Sequence, residues 1–322
     1  MSLSDMKVFN EYLKSATIET LAQDVAKFNA ASAGAIQLTT QGIDGDFLQE
    51  SFWAGVHSAQ RRVDRYAANG AQVATPLAQK QYDSVKIAGG FGPVLFEPSQ
   101  LSWIQKSPEE ALEVISRNLS EAIMSDQLNT AIAALAAAIG NQAAAVNDVS
   151  ATAGVTYVGI NGAHAKFGDA SARIIAQVMT GAMYHKLVGQ NLTNANQLFQ
   201  FQGVTIVDIL GKAVIVTDAP ALFVAGTPDK EKVLSLVSGA AVVSDGSDLI
   251  TNVQTANGKE RIETTMQADY TFGLGLKGYT WDTANGGKSP TDTEIATGSN
   301  WDLVANSVKA SAGVMTIGDA AK

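Results

Sequence analysis

Residues 107–141 read SPEEALEVISRNLSEAIMSDQLNTAIAALAAAIGN, and the reading of this stretch decides the fold. Ser107 suits an N-cap, Pro108 loses nothing at the first helical position, and Glu110 can close a capping box. Leu112, Ile115, Leu119, Ile123, Leu128, Ile132, Leu135 and Ile139 then recur at short intervals until Gly140-Asn141 ends the run. The spacing predicts one helix roughly 45–50 Å long at about 1.5 Å per residue. A small globule seldom needs such a rod; a thin subunit that tiles a surface does.

On the N-terminal side, residues 5–33 carry an apolar stripe (Phe9, Leu13, Leu21, Val25, Phe28) that predicts a helix ending near Gly34. A polar stretch from Thr39 to Asp46 and then Phe47, Leu48, Phe52 and Trp53 read as the rest of an arm. Residues 56–100 change character. Asn69-Gly70 is a turn pair, while Pro76 and Gly89-Gly90-Phe91-Gly92-Pro93 forbid regular helix. Ser84–Ala88 and Val94–Phe96 are expected as short strands of a long projecting β-hairpin loop with almost no core of its own.

Beyond the long helix, 150–265 reads as an α/β unit. Ala170–Val188 is expected as an amphipathic helix, and Val204–Leu210 and Ala213–Thr217 as paired strands about Gly211-Lys212. Lys232–Val237 and Ala240–Val243 add short elements. Arg261–Met266, Tyr270–Trp281 and Trp301–Val308 read as extended, with Asp282–Asn300 as a surface loop.

Composition narrows the function. The 322 residues are 46% hydrophobic and only 16% charged, against about a quarter in an average soluble domain. Either neighbours cover much of the surface, or the chain has a neutral Ala- and Gly-rich exterior. A net charge of −9 argues against tight nucleic-acid binding, which needs clustered cations, but not against enclosing DNA. There is no cysteine, and His57, His164 and His185 each stand alone, so no metal centre is expected. The N-terminus lacks a secretory signal pattern. No stretch is read as a bilayer span, so no membrane partner is expected.

Motif fragments do not add up to catalysis. Gly273-Leu274-Gly275-Leu276-Lys277-Gly278 matches a dinucleotide fingerprint but lies in a strand-like run with no helix after it. Gly286-Gly287-Lys288-Ser289 lacks the leading glycine of a phosphate loop and is followed by Pro290. Glu109 and Glu110 are explained by helix capping and the macrodipole. No catalytic residue, cofactor or metal ligand is expected.

One charge pattern stands out. Residues 56–100 carry Arg61, Arg62, Arg65, Lys80 and Lys86 against Asp64, Asp83 and Glu97, a net +2. Residues 101–140 carry Lys106 and Arg117 against Glu109, Glu110, Glu113, Glu121 and Asp126, a net −3. A basic loop without a core and an acidic helix are complementary. The expectation is an inter-subunit contact of Arg61, Arg62 and Arg65 with Glu109, Glu110 and Glu113. The alternative is that both are merely solvated, since exposed pairs contribute only about 0–1 kcal/mol each.

The order of parts resembles the major capsid protein of tailed bacteriophages, the Hong Kong 97-type fold, an α+β architecture. The likeness is sharpest from Phe91-Gly92-Pro93-Val94 through Trp103 to Ser107-Pro108-Glu109-Glu110 and the helix beyond. Gly211 to Asp218 also resembles a strand pattern of that family's axial domain. The resemblance implies an N-terminal arm (1–55), an extended loop (56–100), a peripheral domain with a spine helix (101–150 and 266–322) and an axial domain (151–265). It further implies self-assembly into hexamers and pentamers of an icosahedral head enclosing double-stranded DNA, through a procapsid. A portal, a separate scaffolding protein and, optionally, a decoration protein would be partners. The location would be the virion, with assembly in host cytoplasm. A cellular nanocompartment shell would share the fold; another self-assembling surface protein or an α/β enzyme fits less well.

Overall fold

The computed structural model describes residues 3–39, 47–53, 60–68, 70–74, 79–96, 108–195, 211–246, 248–257, 260 and 262–322. Ser107, Trp103, His57, Val204–Leu210 and the side chain of Glu109 lie outside the described set, so the expected N-cap and the first of the paired strands do too.

Helix α1 (Leu3–Ala31) ends where Ala33 and Gly34 turn left-handed. Asn29 then ties the helix to strand β1 (Ile36–Thr39): its amide donates to Leu38 O at 2.7 Å and its carbonyl accepts from Leu38 N at 2.9 Å. Strand β2 (Phe47–Trp53) runs antiparallel to β3 (Gln79–Phe96). The two short strands expected within 84–96 are one strand of 18 residues. Gly92-Pro93 bulges instead of breaking it, because opposite Gln267 the register slips between Met266 and Ala268. A side chain at Gly92, whose φ is +109°, would put a Cβ 2.6 Å from Met266 O.

Helix α2 (Pro108–Gly140) spans 33 residues and ends at the glycine that the sequence indicates. Strand β4 (Val146–Asp148) and helix α3 (Tyr157–Lys166) follow, the latter capped by Thr156 Oγ1 accepting from Gly159 N at 3.1 Å. The single helix expected over 170–188 is a 3-10 turn (168–173), strand β5 (Ile174–Met179) and helix α4 (Gly181–Ala195). β5 is buried on both faces, so its apolar run has no period to separate strand from helix. Strand β6 (Ala213–Val216) lies parallel to β5, completing a βαβ crossover.

The remaining strands are β7 (Phe223–Val224), β8 (Lys230–Val237), β9 (Ala241–Asp245), β10 (Ile250–Ala256), β11 (Glu263–Leu276), β12 (Tyr279–Trp281), β13 (Trp301–Leu303) and β14 (Gly313–Asp319). One six-stranded sheet has the order β1-β9-β11-β3-β2, with β10 also on β11. The other runs β4-β14-β8-β5-β6, with β7 also on β8, and β12 pairs with β13. Sheet membership therefore crosses the expected 265/266 division: β9 and β10 join β11 and β3, whereas β14 from the C-terminal segment sits between β4 and β8. Edge-to-edge pairing follows buried faces, not chain order, so a linear reading of ranges misses it.

The expected surface loop 282–300 is a packed corner. Helix α5 (Asp292–Ile295) opens with a Thr291/Glu294 capping box, and Ile295 is buried. Trp301 Nε1 donates to Ile295 O at 3.0 Å, and the Trp281 and Trp301 rings meet edge to face at 4.8 Å. The glycines of the rejected fingerprints have packing reasons. A Cβ on Gly275 would strike Ser84, and one on Gly286 would strike the Trp281 ring. Val85 and Ile87 are core residues, so the C-terminal part of the expected loop is structural.

By length and composition Glu110–Gly140 could cross a bilayer, contrary to the sequence expectation, but 56% of its most apolar window is buried inside the protein. It is the central core helix.

Candidate assembly surface

α2 divides into two halves with different surroundings. Ala131, Ile132, Ala134, Leu135, Ala138 and Ile139 are fully buried, against elements of both sheets and the 220–222 and 298–300 turns. Small alanines let those elements approach closely, while each buried Ile or Leu contributes about 1.5–3 kcal/mol. α1 also packs on α2, and toward the N-terminus burial is confined to one side, at Ala111, Ser116, Leu119, Ser120 and Ile123. Glu110, Glu113, Val114, Arg117 and Glu121 are exposed there. Arg117 Nε and Glu121 Oε1 pair at 3.2 Å on this open face.

Every described residue from 60 to 74 is exposed, including Arg61, Arg62 and Arg65 and the apolar Val63, Tyr66 and Val73. The Arg65 guanidinium lies 5.9 Å from the centre of the Tyr66 ring, and Asp64 Oδ1 accepts from Tyr66 N at 2.9 Å. Among the described residues no ion pair engages Arg61, Arg62 or Arg65, nor Glu110 or Glu113. Within one chain these two groups stand apart from one another's charge.

A second acidic feature sits at the middle of α2. The Tyr270 hydroxyl donates to Asp126 Oδ2 at 2.5 Å, and its ring stacks on Phe91 and Phe272 at 5.6 and 6.2 Å. Burial pushes the Asp126 carboxyl above the usual range; the Tyr270 bond opposes the rise and the charge of Asp292 adds to it. Tyr270 is pushed far up by burial and by its carboxylate partner. Beside this pair a cavity of about 470 Å³ opens between α2, the 220–222 turn and α5.

Several other charged side chains have structural partners. Asp248 accepts from Thr271 N and Oγ1 at 2.9 and 2.7 Å with Lys86 at 3.5 Å. Burial raises Asp248, but these bonds outweigh it and leave it low. Lys186 pairs with the buried Glu231 at 3.0 Å and donates to Ala320 O, pinning the C-terminus to the second sheet. His164, buried on α3, bonds Ser235 Oγ of β8 through Nε2 at 3.1 Å. Burial and then Lys212 lower its pKa. Among the described residues no group of three or more His, Cys, Asp or Glu side chains is arranged to hold a metal.

The family model described as "Major capsid protein 13-like" matches residues 5–315. The chain belongs to this family. The capsid protein is thus a structural component of a tailed-phage virion, with the α+β Hong Kong 97-type fold. Among solved structures it is similar to a chain of the cyanophage Pam1 capsid asymmetric unit, at 13% identity and TM-score 0.51, covering 89% of this chain and 88% of that one. A Mycobacterium phage Cain chain is similar at 10% identity and TM-score 0.50, with 90% and 89% covered. Among curated proteins none matches the sequence.

The sequence located the spine helix and the exposed arginines of the capsid protein. It missed the Asp126–Tyr270 pair and the cavity beside it. Asp126 is one acid among several on the helix, and nothing local ties it to residues more than 140 positions away.

Proposed function

We propose that the capsid protein assembles as hexamers and pentamers of an icosahedral head around double-stranded DNA. The basic segment 61–65 of each copy would lie across α2 of an adjacent copy. One observation carries this: residues 60–74 form neither helix nor strand and are exposed at every described residue, with Arg61, Arg62 and Arg65 set beside Val63 and Tyr66. Such a segment gains nothing from its own core to offset its ordering entropy, so burial has to come from another molecule. The acidic candidates on α2 are Glu109, Glu110 and Glu113. Individual contacts of this type are weak, and repetition over a shell sums them.

The net charge of −9 suits a container that does not grip its contents. A portal, a separate scaffolding protein and an optional decoration protein complete the proposed partners, with assembly in host cytoplasm. Electron microscopy of the concentrated protein tests the reading. Closed shells or capsomers are expected from the wild type and not from Arg61→Glu/Arg62→Glu. A small oligomer at every concentration, or shells from the double variant, would overturn it.

A further inference from the structure

The cavity on α2 has the features of a seat for a cationic side chain. Asp126 and Thr130 lie one turn apart on the helix, Asp292 faces them from α5, and Ala133, Ala221 and Ile295 supply apolar wall. Asp126 commits one oxygen to Tyr270; its other oxygen has no bond among the described residues. Thr130 is only 8% exposed, lines the cavity, and its hydroxyl has no partner among the described residues. A hydroxyl at the cavity wall can accept a hydrogen bond from a donor that enters. Neither carboxylate has an ion-pair partner among the described residues.

We propose that this cavity receives the guanidinium of Arg61, Arg62 or Arg65 from a second copy of the chain. The inference rests on the assembly reading above and names the acidic partner of that basic segment. A guanidinium presents planar, forked donors that suit two carboxylates and a hydroxyl at once. Its methylene stem suits the apolar wall. A bare metal ion fits poorly, since a space of about 470 Å³ with aliphatic sides is far larger than an ion and its ligands require.

Solvation separates the two acidic features. Glu113 and Asp126 are separated by 13 residues of helix, or ~20 Å. Fully extended, the step from Arg61 to Arg65 spans at most about 14 Å of backbone, so engaging both would need two arginine side chains splayed apart along the helix. Glu110 and Glu113 are solvated, and Glu110 is already favoured by the helix N-terminus. Asp126 is partly desolvated and beside a like charge, so a cation gains more there.

The test is a charge swap read by sedimentation and electron microscopy, with native Trp281/Trp301 fluorescence as the folding control. Asp292→Arg, on an exposed residue outside the core, should raise the protein concentration needed for shells by about tenfold or more. Adding Arg61→Asp, Arg62→Asp or Arg65→Asp should restore assembly in one of the three combinations. Asp126→Asn/Asp292→Asn, which keeps an acceptor for Tyr270, should weaken assembly without a clash. Wild-type assembly by Asp292→Arg, or a block that none of the three reversals relieves, overturns the proposal. If the wild type itself forms neither shells nor capsomers, the assembly reading fails. If shells sensitive to Arg61→Glu/Arg62→Glu tolerate Asp292→Arg, only the cavity assignment fails.

Discussion

Leu135→Ala and Val114→Ala on the same helix should differ sharply in the unassembled subunit. Leu135 is fully buried where α2 meets both sheets, whereas Val114 is 42% exposed on the one-sided half. Truncating Leu135 removes three buried carbons, about 2.5 kcal/mol of transfer free energy at ~0.8 kcal/mol each. The cavity left behind adds to this, because neighbours on two sides cannot both collapse into it, for a total of about 3–4 kcal/mol. That is two to three decades in the unfolding equilibrium constant, at ~1.4 kcal/mol per decade. Val114→Ala should stay within about 1 kcal/mol. Urea titration followed by tryptophan fluorescence measures both, since Trp281 and Trp301 are fully buried and their environment reports the native corner. Equal midpoint shifts for the two variants, or none for Leu135→Ala, would refute the division of α2 into a core half and an open half.

Two further outcomes follow from buried polar groups. Tyr270→Phe should destabilise the subunit by about 1–3 kcal/mol at neutral pH, because the partly buried Asp126 carboxyl loses its donor. Asp126→Asn should match or exceed wild-type stability there. Because the folded pKa of Asp126 is raised, the native state takes up a proton before the unfolded chain, so wild-type stability gains as pH falls through that folded value, and the Asn variant lacks this gain. Melting temperature against pH measures both effects. For His164 the sign is reversed: its folded pKa lies below 6.5, so the unfolded chain binds the proton first and stability falls as pH drops through 6.5. His164→Gln, which can keep the bond from the Nε2 position to Ser235, should flatten that acid limb; an unchanged limb places the sensitivity elsewhere.

Elements with a strong local period were legible in the sequence. α1 and α2 were read with nearly correct ends because Gly34 and Gly140 mark their stops and their stripes repeat over many turns. β5 was not, since burial on both faces erases alternation, and β3 was split because its glycines and proline serve a bulge. Placing β14 beside β8 required knowing which edges are free, which no local pattern encodes. The exposed arginines were legible from composition alone, whereas the cavity that faces Asp126 is assembled by α2, the 220–222 turn and α5, three segments far apart in the chain.

The same topology limits where the subunit can adapt to different positions in a shell. β14 locks the C-terminal segment into the sheet of β8, β9 and β10 lock the preceding segment to β11, and α2 is packed against both. Shifting one sheet against the other would repack Ile132, Leu135 and Ile139 together, and close-packed cores resist such continuous deformation. In the proposed assembly, adjustment between five- and six-fold surroundings falls to the parts outside that block, above all residues 60–74. Hydrogen exchange should show this directly. In the unassembled subunit, amides of 131–139, 232–236 and 313–317 should exchange slowest and those of 60–74 without protection. On assembly the first group should change little and the 60–74 segment should gain protection. Unprotected amides there in closed shells would mean that no neighbour covers the segment, and the proposed contact would be lost with it.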